Sequence, residues 1–242
     1  MNASDILLFI VLPYSSIIVF LGGVFFVMRN TPFKVSSLSS QFLERDALFF
    51  GSVPFHVGML VVFLLHLSAF LIPKTVLSFN SFPVRLMILE TTGFVFAMSF
   101  LIGIIILLLR RMISSRVRAV TTWVDIVVEL MLLYQVILGC TIALNFRWGS
   151  SWFAADLSPY LWSLIKLNPH TDAIIAMPLV IKTHVVTAFL ILLMIPFSRL
   201  MHLLMAPFHY MWRPYQQVIW NWDRKKINDP NIPWGKHAPK NT

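Results

Sequence analysis

The sequence predicts an all-α integral membrane protein, a five-helix transmembrane bundle with its N-terminus outside and its C-terminus in the cytoplasm. Composition, the spacing of long apolar runs and the distribution of basic residues carry this reading. Of the 242 residues, 58% are hydrophobic and 12% are charged, about half the charged share of an ordinary globular domain. Mean hydropathy is +0.79. A soluble globule of this size could not hide so much apolar surface, so the low-dielectric surroundings must come from lipid.

Five stretches can cross a hydrocarbon core of about 30 Å, which takes about 20 helical residues. The first, residues 6–28, ends at Arg29 and Asn30. It opens Met1-Asn2-Ala3-Ser4-Asp5 without a positive region, and its apolar part is too long for a secretory signal, so it is expected to stay in the mature chain. The second, 47–72, stops at Pro73 and Lys74; the third, 86–109, at Arg110 and Arg111; the fourth, 123–146, at Arg147. The fifth, 174–198, runs on toward Pro207. The bundle thus occupies 1–206, and the tail 207–242, rich in Trp, Pro and Lys, is expected to be a docking arm ordered by a partner. Trp148, Trp152, Phe153, Tyr160 and Trp162 predict a piece lying on the outer interface between the fourth and fifth helices.

Lys and Arg set the orientation. Fourteen follow the first, third and fifth helices, among them Arg29, Arg110, Arg111, Arg116, Arg118 and Arg199. Lys74, Arg85, Arg147 and Lys166 hold the other side, and Lys182 lies inside the fifth helix. The positive-inside bias puts the former side in the cytoplasm. The net charge of +9 therefore serves head groups and a cytoplasmic partner, not nucleic acid. The single cysteine, Cys140, excludes an internal disulfide and any cysteine-ligated cluster held by this chain alone.

Four of the seven histidines, His56, His66, His184 and His202, fall within or at the ends of the second and fifth helices. An imidazole in hydrocarbon is costly unless something binds it. Because the two helices run in opposite directions, depth matches His66 with His184 and His56 with His202. At 1.5 Å per residue His56 and His66 are about 15 Å apart, and His184 and His202 about 27 Å. Eighteen residues make five whole turns, so the fifth helix is expected to project both its histidines from one face, whereas His56 and His66 diverge by about 80°. The mismatch in rise calls for tilted helices or slanted ligand planes.

Two opposed histidines do not make a zinc site, which takes three or four protein ligands. They suit haem iron, held axially above and below a flat macrocycle whose apolar body gains from a bundle interior. The reading is two stacked b haems; without Cys-x-x-Cys-His, covalent c-type attachment is excluded. Two axial histidines leave no open coordination position, which favours electron transfer. Arg110, Arg111 and Arg199 are the candidate propionate partners on the inner side, with Arg85 or Lys182 on the outer. Asp125 and Glu129, one turn apart, are expected to pair with the arginines near Arg116. His170 reads as a solvated loop residue, and His209 as a tail residue that could replace His202 as a ligand.

At these residues the chain resembles the gamma, cytochrome b, subunit of membrane-bound respiratory nitrate reductase. The phrases that carry the resemblance are Ser39-Ser40-Gln41 with Asp46, Phe55-His56-Val57-Gly58, His66, the run from Arg110-Arg111-Met112 to Ala119-Val120-Thr121-Thr122, and Pro196-Phe197-Ser198-Arg199-Leu200-Met201-His202, ending near Tyr215-Gln216. It covers roughly residues 5 to 217. The resemblance implies a five-helix anchor in a prokaryotic plasma membrane, with an outer haem on His66 and His184 and an inner haem on His56 and His202. It further implies quinol oxidation near the outer haem with protons released outside, and electrons passed to an iron-sulfur beta subunit and a molybdenum catalytic alpha subunit. The chain itself would hold no nitrate-reducing residue.

That family often has Gly before the outer-haem histidine of the second helix, and a Lys between the second and third helices implicated in quinone binding. Here Leu65 precedes His66, and Arg85 is the nearest basic residue. Leu65, His66, Arg85 and Glu90 are the quinone candidates; Glu90 takes a quinol proton or pairs with Arg85 or Lys182. Two other readings stay open: the same cytochrome in a nitrite-oxidising, sulfur or heterodisulfide complex, with flow in either direction, and a transporter or plain anchor with structural histidines.

Overall fold

The computed structural model describes residues 2–30 and 46–204. Within them the chain is helical and without strands. Five helices are long and apolar enough to cross a membrane: Ala3–Asn30, Ala47–Leu71, Pro83–Ile113, Trp123–Asn145 and Leu179–Phe197. We call them the first to fifth spans. The described residues belong to one compact unit, Met1–Met205. The expected docking tail and His209 lie outside the described residues, as do Ser39-Ser40-Gln41.

Prolines and caps set the limits. The second span stops before Pro73, which opens the short helix Pro73–Asn80, and Pro83 opens the third span. Thr122 and Asp125 start the fourth span with a reciprocal cap: the Asp125 N–H donates to Thr122 Oγ1 at 3.3 Å, and the Thr122 N–H to Asp125 Oδ2 at 2.9 Å. The fifth span begins later than expected. Residues Asp172–Ala176 form a separate short helix, and Met177, extended because Pro178 follows, breaks the chain before Leu179. It also ends earlier. The α-helix stops at Met194, Pro196 sits in a tight turn, Ser198 is extended (φ −120°, ψ 170°), and Arg199–Leu203 is a 3₁₀ turn. The expected five-turn phase between His184 and His202 therefore does not apply, because His202 is not on the same helix.

The second and third spans make the closest approach in the bundle. A Cβ on Gly58 would lie 2.5 Å from the Phe96 carbonyl oxygen and the Phe100 nitrogen, and one on Gly103 would strike the Phe55 backbone. Without water to drive association, small residues that let backbones touch are what hold apolar helices together. The fourth span packs on the third and fifth, and the first on the fifth. The second span carries His56 and His66 and the fifth carries His184; these two spans make few contacts with each other.

The turn 73–82 and segment 149–165 meet at the N-terminal face of the bundle; residues 114–122 and 198–204 meet at the opposite face. The segment 149–165 is helical and packs against the bundle. Leu157, Tyr160 and Leu164 are buried with Phe9, Ile142, Ile174 and Ile181. Free carbonyls draw it in. Pro13 has no N–H to offer Phe9, so the Tyr160 hydroxyl donates to the Phe9 carbonyl at 2.9 Å. The end of the second span leaves the Phe70 carbonyl open, and Trp162 Nε1 (2.9 Å) and Ser158 Oγ (3.2 Å) donate to it.

Gly58→Val should force the second and third spans apart and cost about 1–3 kcal/mol, the usual range for overpacking. Thermal melting of the detergent-solubilised protein checks this, with Gly22→Ala, which meets nothing within 4 Å, as the neutral control.

Candidate cofactor sites

The four helix-associated histidines form two facing pairs across the gap between the second and fifth spans. His66 and His184 lie toward the N-terminal face, ring centroids 6.5 Å apart and planes at 35°. His56 and His202 lie toward the opposite face, 6.2 Å apart at 62°. These are the pairs that depth alone predicts. His202 reaches its partner from the 3₁₀ turn after Ser198, so its depth cannot be counted by α-helical rise from His184.

Hydrogen bonds fix which nitrogen is free. His56 Nδ1 donates to the Ser52 carbonyl at 2.7 Å, His66 Nδ1 to the Val62 carbonyl at 2.8 Å, and His202 Nδ1 to the Arg199 carbonyl at 2.6 Å. A carbonyl only accepts, so in all three rings the proton sits on Nδ1 and Nε2 keeps its lone pair. His184 differs. Its Nε2 lies 3.2 Å from Gln135 Nε2, while His184 Nδ1 and Gln135 Oε1 are buried without hydrogen-bond partners. Gly139, one turn beyond Gln135, leaves the ring its space: a Cβ there would be 3.4 Å from His184 Cε1. Sequence reasoning passed over Gln135, although a carboxamide inside a membrane-crossing helix is itself a costly polar group.

Two imidazoles on one metal, each through a bond of about 2 Å, hold their centroids about 6 Å apart. Both pairs have that separation. Among the described residues no group of three or more His, Cys, Asp or Glu is placed to hold a metal ion, so the donor set suits an iron carried in a macrocycle, not a bare ion. Phe153 stands edge-on to His66 at 5.4 Å and Phe55 to His56 at 4.9 Å, giving each pair an aromatic wall.

At the opposite face Arg110 is buried. Arg111 Nε approaches Glu129 Oε2 at 3.1 Å, and Arg199 Nε approaches Asp125 Oδ1 at 3.1 Å. Asp125 and Glu129 thus pair with Arg111, at the head of the arginine cluster that runs to Arg116 and Arg118, as expected, and Asp125 also pairs with Arg199. The third span ends at Ile113 and Ser115–Ala119 form a separate short helix. A cavity of about 140 Å³ opens here, lined by Phe55, Arg111, Glu129, Arg199 and His202 among others.

At the N-terminal face Leu65 lies over Gly93 of the third span. Glu90 Oε1 accepts from the Ser150 N–H at 2.8 Å and the Ser150 hydroxyl at 2.6 Å, so its partner is segment 149–165, not Arg85 or Lys182. Asn80 Nδ2 donates to Ser150 Oγ at 2.9 Å, completing the link. The Arg85 guanidinium sits over the Phe82 ring at 4.3 Å and the Phe79 ring at 5.7 Å. His170 is exposed in its loop, as expected.

The family model described as nitrate reductase gamma subunit matches residues 5–221. The chain belongs to this family. It is 27% identical over 209 residues to the nitrate reductase gamma chain of Bacillus subtilis (strain 168), covering 85% of this chain and 93% of that one. It is 29% identical over 224 residues to the respiratory nitrate reductase 1 gamma chain of Escherichia coli (strain K12), covering 90% and 98%. Against the respiratory nitrate reductase 2 gamma chain of the same organism it is 30% identical over 209 residues, covering 85% and 92%. As a gamma subunit the chain is a membrane-spanning component of an oxidoreductase, with electron transport as its work.

In this gamma subunit Tyr160 pins segment 149–165 over the His66–His184 pair. Burial, and secondly the Tyr14 phenol, raise the Tyr160 pKa above its ordinary value, which is about 10. The folded form holds the proton more tightly than the unfolded one, so this stability is present below about pH 10 and lost as pH rises toward the folded value. Tyr160→Phe should cost about 1–3 kcal/mol at neutral pH by orphaning the Phe9 carbonyl, and should flatten the alkaline limb of a melting-temperature series.

Proposed function

We propose that this chain is the quinol-oxidising cytochrome b subunit that anchors a nitrate reductase in the plasma membrane of a prokaryote. It holds two b haems, an outer one between His66 and His184 and an inner one between His56 and His202. The observation that carries the reading is the pair of opposed imidazole couples about 6 Å apart, three of the four rings with their Nε2 lone pair free. Bound there, the haems supply one-electron relay sites at two depths, each short enough a step for tunnelling.

The remaining roles follow from the chain's own residues. The Nδ1–H bonds to backbone carbonyls orient the rings of His56, His66 and His202 and raise their basicity as ligands. Arg110, Arg111 and Arg199 stand at the inner haem's edge to meet propionates, with Arg111 and Arg199 shared with Asp125 and Glu129. The basic excess on the face of residues 110–118 supports a cytoplasmic C-terminus, an iron-sulfur beta subunit docked on that face and a molybdenum alpha subunit beyond it.

Quinol binds at the outer face among Leu65, His66, Arg85 and Glu90. Arg85 offers a guanidinium to a quinol oxygen from an aromatic cradle. Glu90 accepts a proton and hands it outward, its carboxylate held in place by Ser150.

The decisive experiment is a reduced-minus-oxidised spectrum of the purified protein with pyridine haemochrome quantitation, with two b haems per chain expected; a colourless, fully folded preparation overturns the reading in favour of a plain anchor or transporter. His66→Ala and His184→Ala should each remove the outer haem and quinol reactivity while sparing the inner haem. Glu90→Gln should keep both haems and slow quinol-driven haem reduction by about 10²-fold, the low end for a lost acid–base group; stopped-flow reduction with a soluble quinol reads this directly.

A further inference from the structure

Of the four ring positions, His202 is the one that the local fold does not secure. His56, His66 and His184 sit on unbroken α-helix. His202 follows the break at Ser198 on a five-residue 3₁₀ turn, whose hydrogen bonds are poorer than those of an α-helix. The turn is started by Ser198, whose Oγ accepts from the Leu200 N–H at 3.2 Å, and nothing in that cap fixes its position relative to the second span.

Arg199 does. Its Nε meets Asp125 Oδ1 at 3.1 Å and its Nη2 donates to the Val120 carbonyl at 2.9 Å, a two-pronged grip on the start of the fourth span. The backbone carbonyl of the same residue accepts the His202 Nδ1–H at 2.6 Å. Asp125 is itself immobilised, since its second oxygen accepts from the Thr122 N–H at 2.9 Å and its side chain is 6% exposed. A rigid polar chain therefore runs from the Thr122 cap through Asp125 and Arg199 to the His202 ring. We infer that Asp125 is a positioning residue for His202: through Arg199 it sets where, and in which orientation, this imidazole meets the partner of His56. The inference rests on the reading of His202 as an axial ligand of the inner haem.

Asp125→Asn tests it in native membranes carrying the full chain. The amide oxygen still accepts from Thr122 and keeps the fourth span capped, but the amide nitrogen now faces the Arg199 donors and the grip is lost. Expected are a shifted low-spin signal and midpoint potential of the inner haem, at least a twofold loss of inner-haem occupancy and an unaltered outer haem. Arg199→Gln, which leaves the Thr122–Asp125 cap whole, should give the same selective change, so the test survives if either variant fails to accumulate. Asp125→Glu, which restores a carboxylate, should recover most of the inner-haem occupancy. The inference is overturned if these variants leave the inner haem's signal and potential unmoved, or disturb both haems equally as a general loosening would. His202→Ala serves as the control: if it too retains both haems, the axial-ligand reading fails first and takes this inference with it.

Discussion

Polar groups in this bundle have no water to turn to within the hydrocarbon layer, and that single constraint explains most of its architecture. Near Pro13 and at the end of the second span, side chains from elsewhere in the chain donate to backbone carbonyls, Tyr160 to that of Phe9 and Trp162 and Ser158 to that of Phe70. Hydroxyls inside the spans turn back on their own helices: Thr183 donates to the Leu179 carbonyl and Thr187 to that of Thr183. His56, His66 and His202 obey the same rule at Nδ1, each donating to a carbonyl of its own helix or turn.

The two faces solve the problem with different chemistry. At the N-terminal face the closure is mostly uncharged: hydroxyl, indole and amide donors, with Glu90 as an acceptor for the first turn of segment 149–165. At the opposite face it is ionic. Arg111 and Arg199 bind Asp125 and Glu129 beside the inner histidine pair. A buried ion pair brings little net stability once desolvation is counted, but it fixes geometry firmly, because breaking it strands a charge. That suits a face where His202 sits on a short turn.

Much of this was legible in the residues. Hydropathy gave five spans because a lipid-facing helix has to be apolar over its whole length, and the boundaries differ from the described ones mainly at prolines. Depth counting paired the histidines because helix rise is nearly constant. The phase argument for His184 and His202 failed for a local reason: Pro196 and Ser198 end the helix, and a phase cannot be carried across a break. Glu90, Asp125 and Glu129 were recognised as polar residues in need of partners; Arg111 is among those expected for the latter two, whereas Ser150, 60 residues from Glu90, and Arg199 come from segments that sequence spacing does not bring near.

Sequence alone therefore determined the class of protein, the number of spans, the candidate ligands and their pairing by depth, since each follows from periodicity, composition or constant rise along one helix. Only the tertiary structure decided that Gln135 meets His184, that segment 149–165 folds inward against His66, and that Asp125 holds Arg199. Those contacts depend on which faces of different helices meet, and that is set by close approach at positions such as Gly58 and Gly103, a property of pairs of helices that no single helix's pattern records.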